Sequence, residues 1–308
     1  MDISIVIPAY NEAESLPELL QRIETSIRPL QKTHEIIVVD DGSSDDTLKV
    51  LKSLREKYRA LKVISFRKNY GKSAALSEAF KMAQGELVIT MDADLQDDPA
   101  EIPNLLAKLD TDKLDLVSGW KKKRFDPLSK TIPSKFFNFF TSLMTGIKIH
   151  DFNCGLKAYR QIVVKDLKIY GELHRFLPAL AHWNGFRVGE TAVQHHPRKF
   201  GKTKFGISRF FNGFFDLLTV LFITRYQTSP LHIFGMLGML AVLAGFFIEI
   251  YLTVNWFMGA GIRNRPLFFL GILAIIVGVQ IIVFGLLGEM ITARFAENVS
   301  YSIKEKIE

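Results

Sequence analysis

A chain of 308 residues is long enough for one large or two modest domains with a full core. Its 39 Lys and Arg against 32 Asp and Glu leave a net charge of +7, which suits an anionic surface or ligand. The single cysteine, Cys154, excludes an internal disulfide and a thiolate cluster for zinc, and reads as a small buried apolar residue.

The opening stretch, MDISIVIPAYNE, is a short apolar run followed at once by polar residues, without the pattern of a secretory signal. A folded domain on the cytoplasmic side is expected to start here. ISIVI, EIIVVD, LKVISF, ELVITMDAD and LDLVSGW read as strands, several continuous enough to be buried on both faces. Between them, 12–27, 45–58, 70–83 and 99–109 carry helical spacing, with Ser44 and Asp45 as N-cap material and Asp98 before Pro99 as a second cap. The βαβα order predicts an α/β fold with a mainly parallel sheet and helices on both faces.

Ligands of such sheets bind beyond the carboxyl ends of the strands. The tails there are PAYNE, DDGSSDDT and DADLQ, and each alone is explained by ordinary turn chemistry. Their convergence on one rim points to a site. Neither GxGxxG nor GxxxxGK[ST] occurs, so no glycine cradle for phosphates is expected. Asp92 and Asp94 are one residue apart; in extended chain they would point the same way, and hard carboxylate oxygens suit Mg²⁺ or Mn²⁺. Such a metal would carry a diphosphate.

Beyond the fifth strand comes a basic run, Lys121 to Arg124, and a second cluster, Arg198, Lys199, Lys202 and Lys204, stands in HHPRKFGKTKFGISRF. Either is explained as a solvated face, and the second by attraction to lipid headgroups. Residues 205–226 are crowded with Phe and read as interfacial helices. Residues 231–257 and 266–288 are each long and apolar enough to cross a hydrocarbon core of about 30 Å. Glu249 and Gln280 are the polar intrusions, expected to face the other helix, a neighbouring subunit or an interface. Basic residues before the first span outnumber Arg263 and Arg265 in the connecting loop, which predicts both ends of the hairpin on the cytoplasmic side. The tail ENVSYSIKEKIE has strand periodicity, suited to pairing with a sheet edge. The expected divisions are 1–197, 198–228, 229–290 and 291–308.

The set IVIPAYNEAESL, VVDDGSSDDT, DADLQDDP and DFNCGLKAYR, followed by a basic stretch and two spans, closely resembles the polyprenyl-phosphate glycosyltransferases of glycosyltransferase family 2. That group includes dolichol-phosphate mannose synthases and bacterial undecaprenyl-phosphate glucosyltransferases. The resemblance covers essentially the whole chain and implies a GT-A fold, an inverting mechanism and a cytoplasmic active site at a bacterial inner membrane. It places Pro8, Tyr10 and Glu12 in the nucleotide pocket, Asp40 at the base, Asp41 near the ribose and Lys72 near the diphosphate. It makes Asp92 the first acidic residue of a DXD motif, Asp94 the metal ligand and Gln96 a helper at the metal. No Q-x-x-R-W sequence occurs, unlike in cellulose and hyaluronan synthases, so a single transfer per acceptor is expected.

In the implied reaction a lipid phosphate attacks the anomeric carbon of a nucleotide-sugar. A phosphate with a second pKa near about 6 needs no strong base, only positive charge to bring two polyanions together. Arg124 is the expected phosphate ligand and a catalytic residue, with Ser134 and Lys135 as further candidates. The expected partners are a UDP-sugar such as UDP-glucose, or GDP-mannose; a polyprenyl phosphate; membrane lipid; and other copies of the chain, a tetramer among the options. Nucleic acid is not expected. Two other readings stay open: a GT-A transferase with a hydroxyl acceptor such as diacylglycerol, and a non-catalytic membrane partner.

Overall fold

The computed structural model describes residues 1–122, 134, 138–139, 141–197, 199, 219, 229–259 and 266–295. The chain divides into two compact units, Met1–Val220 and Leu221–Glu308.

In the first unit β1 (Ile3–Ala9), β2 (His34–Asp40), β3 (Leu61–Ser65), β4 (Leu87–Thr90), β5 (Leu116–Trp120), β6 (Lys157–Arg160) and β7 (Val188–Ala192) form one sheet in the order β3-β2-β1-β4-β6-β5-β7. Ile3, Ile5 and Ile7 share a core with two helices, α1 (Leu16–Ile27) and α4 (Ile102–Thr111). Their buried residues, Leu16, Leu19, Leu20, Ile23 and Ile27 on α1 and Ile102, Leu105, Leu106 and Leu109 on α4, recur at helical spacing. Val6 is equally buried, so the second face of β1 is covered too. There α3 (Lys72–Met82) packs on β1 and β2, burying Ala75, Leu76, Ala79 and Phe80. α2 (Thr47–Lys57) lies against β3.

The five strands and four helices expected between residues 3 and 120 are all present, with corrected ends. α2 is preceded by Asp46 rather than capped by Ser44, and Asp45 Oδ1 instead accepts the Thr47 backbone N–H at 3.0 Å. Asp98 does cap the turn that follows it, accepting the Ala100 N–H at 3.0 Å. β4 stops at Thr90, so Asp92-Ala-Asp94 is not extended: Ala93 and Asp94 lie in a turn and Leu95 has φ 60°. The two carboxylates therefore do not share a direction through strand alternation, although the pair remains at the strand's end.

β6 and β7 were not expected from the pattern. β6 runs antiparallel to β4 and β5, pairing Lys157 with Thr90 and with Ser118. Its amino end thus sits on the rim that holds the carboxyl ends of the parallel strands. Order in the sheet reverses between β1 and β4, the position where open α/β sheets leave a crevice.

The second unit contains two helices, α7 (Pro230–Phe257) and α8 (Pro266–Phe295), numbered after α5 (Gln161–Asp166) and α6 (Leu177–Trp183) of the first. Both are long and apolar enough to cross a membrane, and only 11% of each apolar window is buried, unlike the core helix of a soluble protein. Their contact is a glycine seam. A Cβ on Gly238 would lie 2.5 Å from the Gly278 carbonyl oxygen, and one on Gly245 would lie 2.5 Å from that of Gly271. Gly271, Gly278 and Gly285 recur every seven residues, the spacing that keeps one helix face on a partner. Glu289 Oε2 accepts the Leu231 N–H at 3.3 Å, satisfying an amide at the start of α7. Glu249 does face the other helix, at Gly271, whereas Gln280 is exposed. The interfacial helices, the tail pairing, Arg124, Lys135 and the loop arginines lie outside the described residues.

Candidate active site

The first two tails at the rim are tied together by their own polar groups. Asn11, at φ 57°, donates its backbone N–H to Ser43 Oγ at 2.9 Å and accepts the Ser44 N–H on its side-chain oxygen at 2.8 Å. The Glu12 N–H donates to Thr47 Oγ1 at 2.9 Å, and Glu12 Oε2 accepts the Ser15 hydroxyl at 2.9 Å. Asp40 is buried, with Oδ1 accepting the Ser43 N–H at 3.0 Å and Oδ2 the Ser65 hydroxyl at 2.9 Å. Asp41 accepts the backbone N–H groups of Tyr70 at 2.7 Å and Gly71 at 2.9 Å. Burial pushes its pKa up, with Asp40 adding to the effect. Asp41 therefore shapes the loop that enters α3. Gly42 has to be glycine: its φ is 67°, and a Cβ would meet the Lys68 carbonyl carbon at 2.3 Å.

Where β1 and β4 part, Pro8, Lys72, Asp92, Lys157 and His174 line a small cavity of about 10 Å³, roughly room for one water. Lys72, the first residue of α3, forms an ion pair with Asp92. Burial alone would raise the Asp92 pKa, but the Lys72 ammonium, with Lys121 and Lys157 behind it, holds it well below the usual carboxylate range. Gly155 makes this close approach possible: a Cβ there would lie 2.6 Å from Asp92 Cγ. Lys157 is buried and donates to the Cys154 carbonyl oxygen; burial and the nearby Lys72 charge push its pKa down. Cys154 is a buried core thiol, pushed up to about 12 by burial and by Asp97.

Asp94 is also buried, and its Oδ1 accepts the Gln96 N–H at 3.2 Å. Gln96 is half-buried, and its carbonyl oxygen accepts the His196 N–H at 2.9 Å. His196 Nε2 lies 2.9 Å from Asp98 Oδ2. His196, just ahead of the second basic cluster, thus packs onto the DADLQDD loop. Asp97 is fully buried with Lys121 Nζ 2.8 Å from Oδ1. Burial opposes the lysine's charge, but the Asp97 carboxylate outweighs it and pushes the pKa up. Lys121 is therefore a structural counter-ion, not a free member of the basic run expected after the fifth strand.

Among the described residues no group of three His, Cys, Asp or Glu side chains is arranged as a metal cage. This donor set still suits Mg²⁺ or Mn²⁺, which take one or two carboxylates and complete their shell with waters and substrate phosphates. Asp94 would be the protein ligand, with Asp92 released from Lys72 as the second. Tyr10 and Ser134 are half-buried.

Lys157 and His174 are the site residues that the strand pattern missed. KAYR is too short and too polar to announce a strand, and only its antiparallel pairing carries Lys157 to the rim.

The family pattern described as Glycosyl transferase family 2 matches residues 4–168. The chain is 39% identical over 300 residues to a dodecaprenyl-phosphate galacturonate synthase of Rhizobium johnstonii, spanning 96% of this chain and 89% of the relative. It is 37% identical over 292 residues to an undecaprenyl-phosphate 4-deoxy-4-formamido-L-arabinose transferase of Salmonella choleraesuis, spanning 94% and 88%. Among solved structures, mannosyl-3-phosphoglycerate synthase from Rubrobacter xylanophilus superposes with a TM-score of 0.57 at 16% identity, covering 72% of this chain and 74% of that one. Glucosyl-3-phosphoglycerate synthase from Mycobacterium tuberculosis, in complex with Mn²⁺, uridine diphosphate and phosphoglyceric acid, gives 0.55 at 17% identity, covering 72% and 77%. These two likenesses establish the GT-A-like fold.

Proposed function

Given that this chain belongs to glycosyl transferase family 2, we propose that it transfers a single sugar from a UDP-sugar to the phosphate of a membrane polyprenol, with inversion at the anomeric carbon. The observation that carries this reading is the meeting of Lys72, Asp92 and Lys157 at the crevice between β1 and β4. The full-length likeness to two polyprenyl-phosphate sugar transferases supports the lipid acceptor. Those relatives handle different sugars, so galacturonate, formamido-arabinose and glucose are all donors to test.

Asp94 and Asp92 would hold a divalent metal, which would supply positive charge to the diphosphate leaving group. Lys72, now on Asp92, exchanges that partner for a donor phosphate, and Lys157 behind it keeps the local potential positive. An oxygen of the acceptor phosphate forms the new bond to the anomeric carbon; the bond from that carbon to the diphosphate oxygen breaks, and its electron pair leaves with the nucleoside diphosphate. The acceptor arrives already ionised, so no side chain has to remove a proton. Arg124, with Ser134 and Lys135, grips the acceptor phosphate, and Pro8, Tyr10, Glu12, Asp40 and Asp41 form the nucleotide side. The apolar hairpin makes this a membrane protein, with both hairpin ends on the cytoplasmic side and the chain self-associating.

The test is a donor panel on the purified full chain in detergent: labelled UDP-glucose, UDP-galacturonate, a UDP-formamido-arabinose and GDP-mannose, each with undecaprenyl phosphate or, separately, diacylglycerol, and with Mn²⁺ or Mg²⁺. Label extracted with the lipid from a UDP-sugar is expected. Label transferred to diacylglycerol but not to undecaprenyl phosphate refutes the acceptor, and transfer from GDP-mannose alone refutes the base.

A further inference from the structure

His174 is a buried group in the cavity that the transfer chemistry leaves unused. It lies on the short segment Leu173–Phe176 and packs against the first turn of α3. Its Nδ1 is 2.9 Å from Ser73 Oγ, and its backbone N–H donates to the same oxygen at 3.1 Å. Nδ1 is the acceptor that the buried Ser73 hydroxyl proton has among the described residues, and giving it that proton assigns the ring proton to Nε2. Burial, with the charges of Lys72 and Arg175, holds the imidazole pKa down to about 2, so the ring is neutral. Among the described residues Nε2 has no partner, and the ring lines the cavity beside Lys72, Asp92 and Lys157.

The cavity lining offers two kinds of partner, Lys72 and Lys157 for a phosphate and Asp92 with the imidazole for a neighbouring hydroxyl. A hydroxyl donates one hydrogen bond and accepts others. Asp92 offers a carboxylate to accept, and the neutral imidazole that lines the same space has an N–H to donate. A phosphate has no proton for Asp92 and is better served by the two lysines. We infer that His174, its tautomer fixed by Ser73, donates a hydrogen bond to a hydroxyl of the donor sugar and so selects the sugar independently of the nucleotide. Ser73 is then a positioning residue. The inference rests on the nucleotide-sugar reading of the site.

The experiment compares wild type, His174→Leu, His174→Gln and Ser73→Ala, as full chains in detergent with Mn²⁺. Titration calorimetry uses UDP, UDP-glucose and UDP-galacturonate, with GDP and GDP-mannose as a second set, and transfer to undecaprenyl phosphate gives kcat and KM. His174→Leu is expected to bind the nucleoside diphosphate as wild type does, which also shows that it folds, while kcat/KM for the accepted sugar donor falls about 10- to 100-fold, as for a lost hydrogen bond at a desolvated site. His174→Gln, whose amide N–H reaches the Nε2 position, is expected to recover most of the loss, and Ser73→Ala to fall between. Unchanged kcat/KM in His174→Leu overturns the inference, as does an equal loss of affinity for the diphosphate and the sugar donor. If His174→Leu does not fold, the other two decide: Gln and Ala variants both losing diphosphate binding overturn it, and losses confined to the sugar donor sustain it. A wild-type protein that binds none of these donors refutes the parent reading, and this one with it.

Discussion

Gly155→Ala tests the placement of Asp92 without touching its charge. The added Cβ would stand 2.6 Å from Asp92 Cγ, 2.7 Å from Oδ2 and 2.8 Å from Oδ1. Carbon pairs settle at about 3.5–4.0 Å, so the carboxylate must retreat by about 1 Å. It cannot do so freely, because Lys72 holds one oxygen and Met91 before it is fully buried. A displacement of about 1 Å at a reacting site costs about 100-fold in rate, and overpacking costs about 1–3 kcal/mol of stability. The assay is transfer of labelled sugar to undecaprenyl phosphate at saturating donor, beside thermal unfolding of the same preparation. A rate about 100-fold down with a folded protein is expected. Wild-type turnover in Gly155→Ala would show that Asp92 has no positional role in the reaction.

Asp94→Asn should abolish turnover while leaving the fold intact, since it removes the charge expected to hold the metal; near wild-type transfer in metal-controlled buffer would remove Asp94 from the mechanism. Lys121→Met strands the fully buried Asp97 charge and should cost about 3–5 kcal/mol; adding Asp97→Asn should restore part of it, and no recovery in the double variant would deny the pairing. His174 gives a pH signature. Its folded pKa is depressed to about 2 from 6.5, so only the unfolded chain takes up the proton as pH falls below 6.5. Stability present above pH 6.5 is therefore lost on acidification, by about 3 kcal/mol at pH 4.5. His174→Gln should flatten that part of the curve, and identical acid sensitivity in the two proteins would contradict it.

Much of the first unit was legible because its strands are continuous Val and Ile runs and its helices carry apolar residues at regular spacing. The boundaries and the last two strands were not. Whether DADLQ continues β4 depends on where pairing with β1 stops, after Thr90, and no local pattern encodes that. β6 is held by neighbours on both sides rather than by its own four residues, so Lys157 is visible as a site residue only once β4 and β5 are in place. The same holds for Asp97 and Lys121, far apart in sequence, each an ordinary surface charge until the fold buries them together. In the hairpin, length and apolarity announced the spans, and glycines at seven-residue spacing carried the unread information about which faces meet.

The most direct measurement is the mass of the product lipid. The full chain, incubated with undecaprenyl phosphate, Mn²⁺ and the accepted UDP-sugar, is expected to yield a species heavier than the acceptor by one sugar residue, with the sugar joined through the single phosphate and no heavier members in the series. A ladder of added sugars, a product lacking the phosphate link, or free sugar with unchanged acceptor would contradict a single transfer to polyprenyl phosphate.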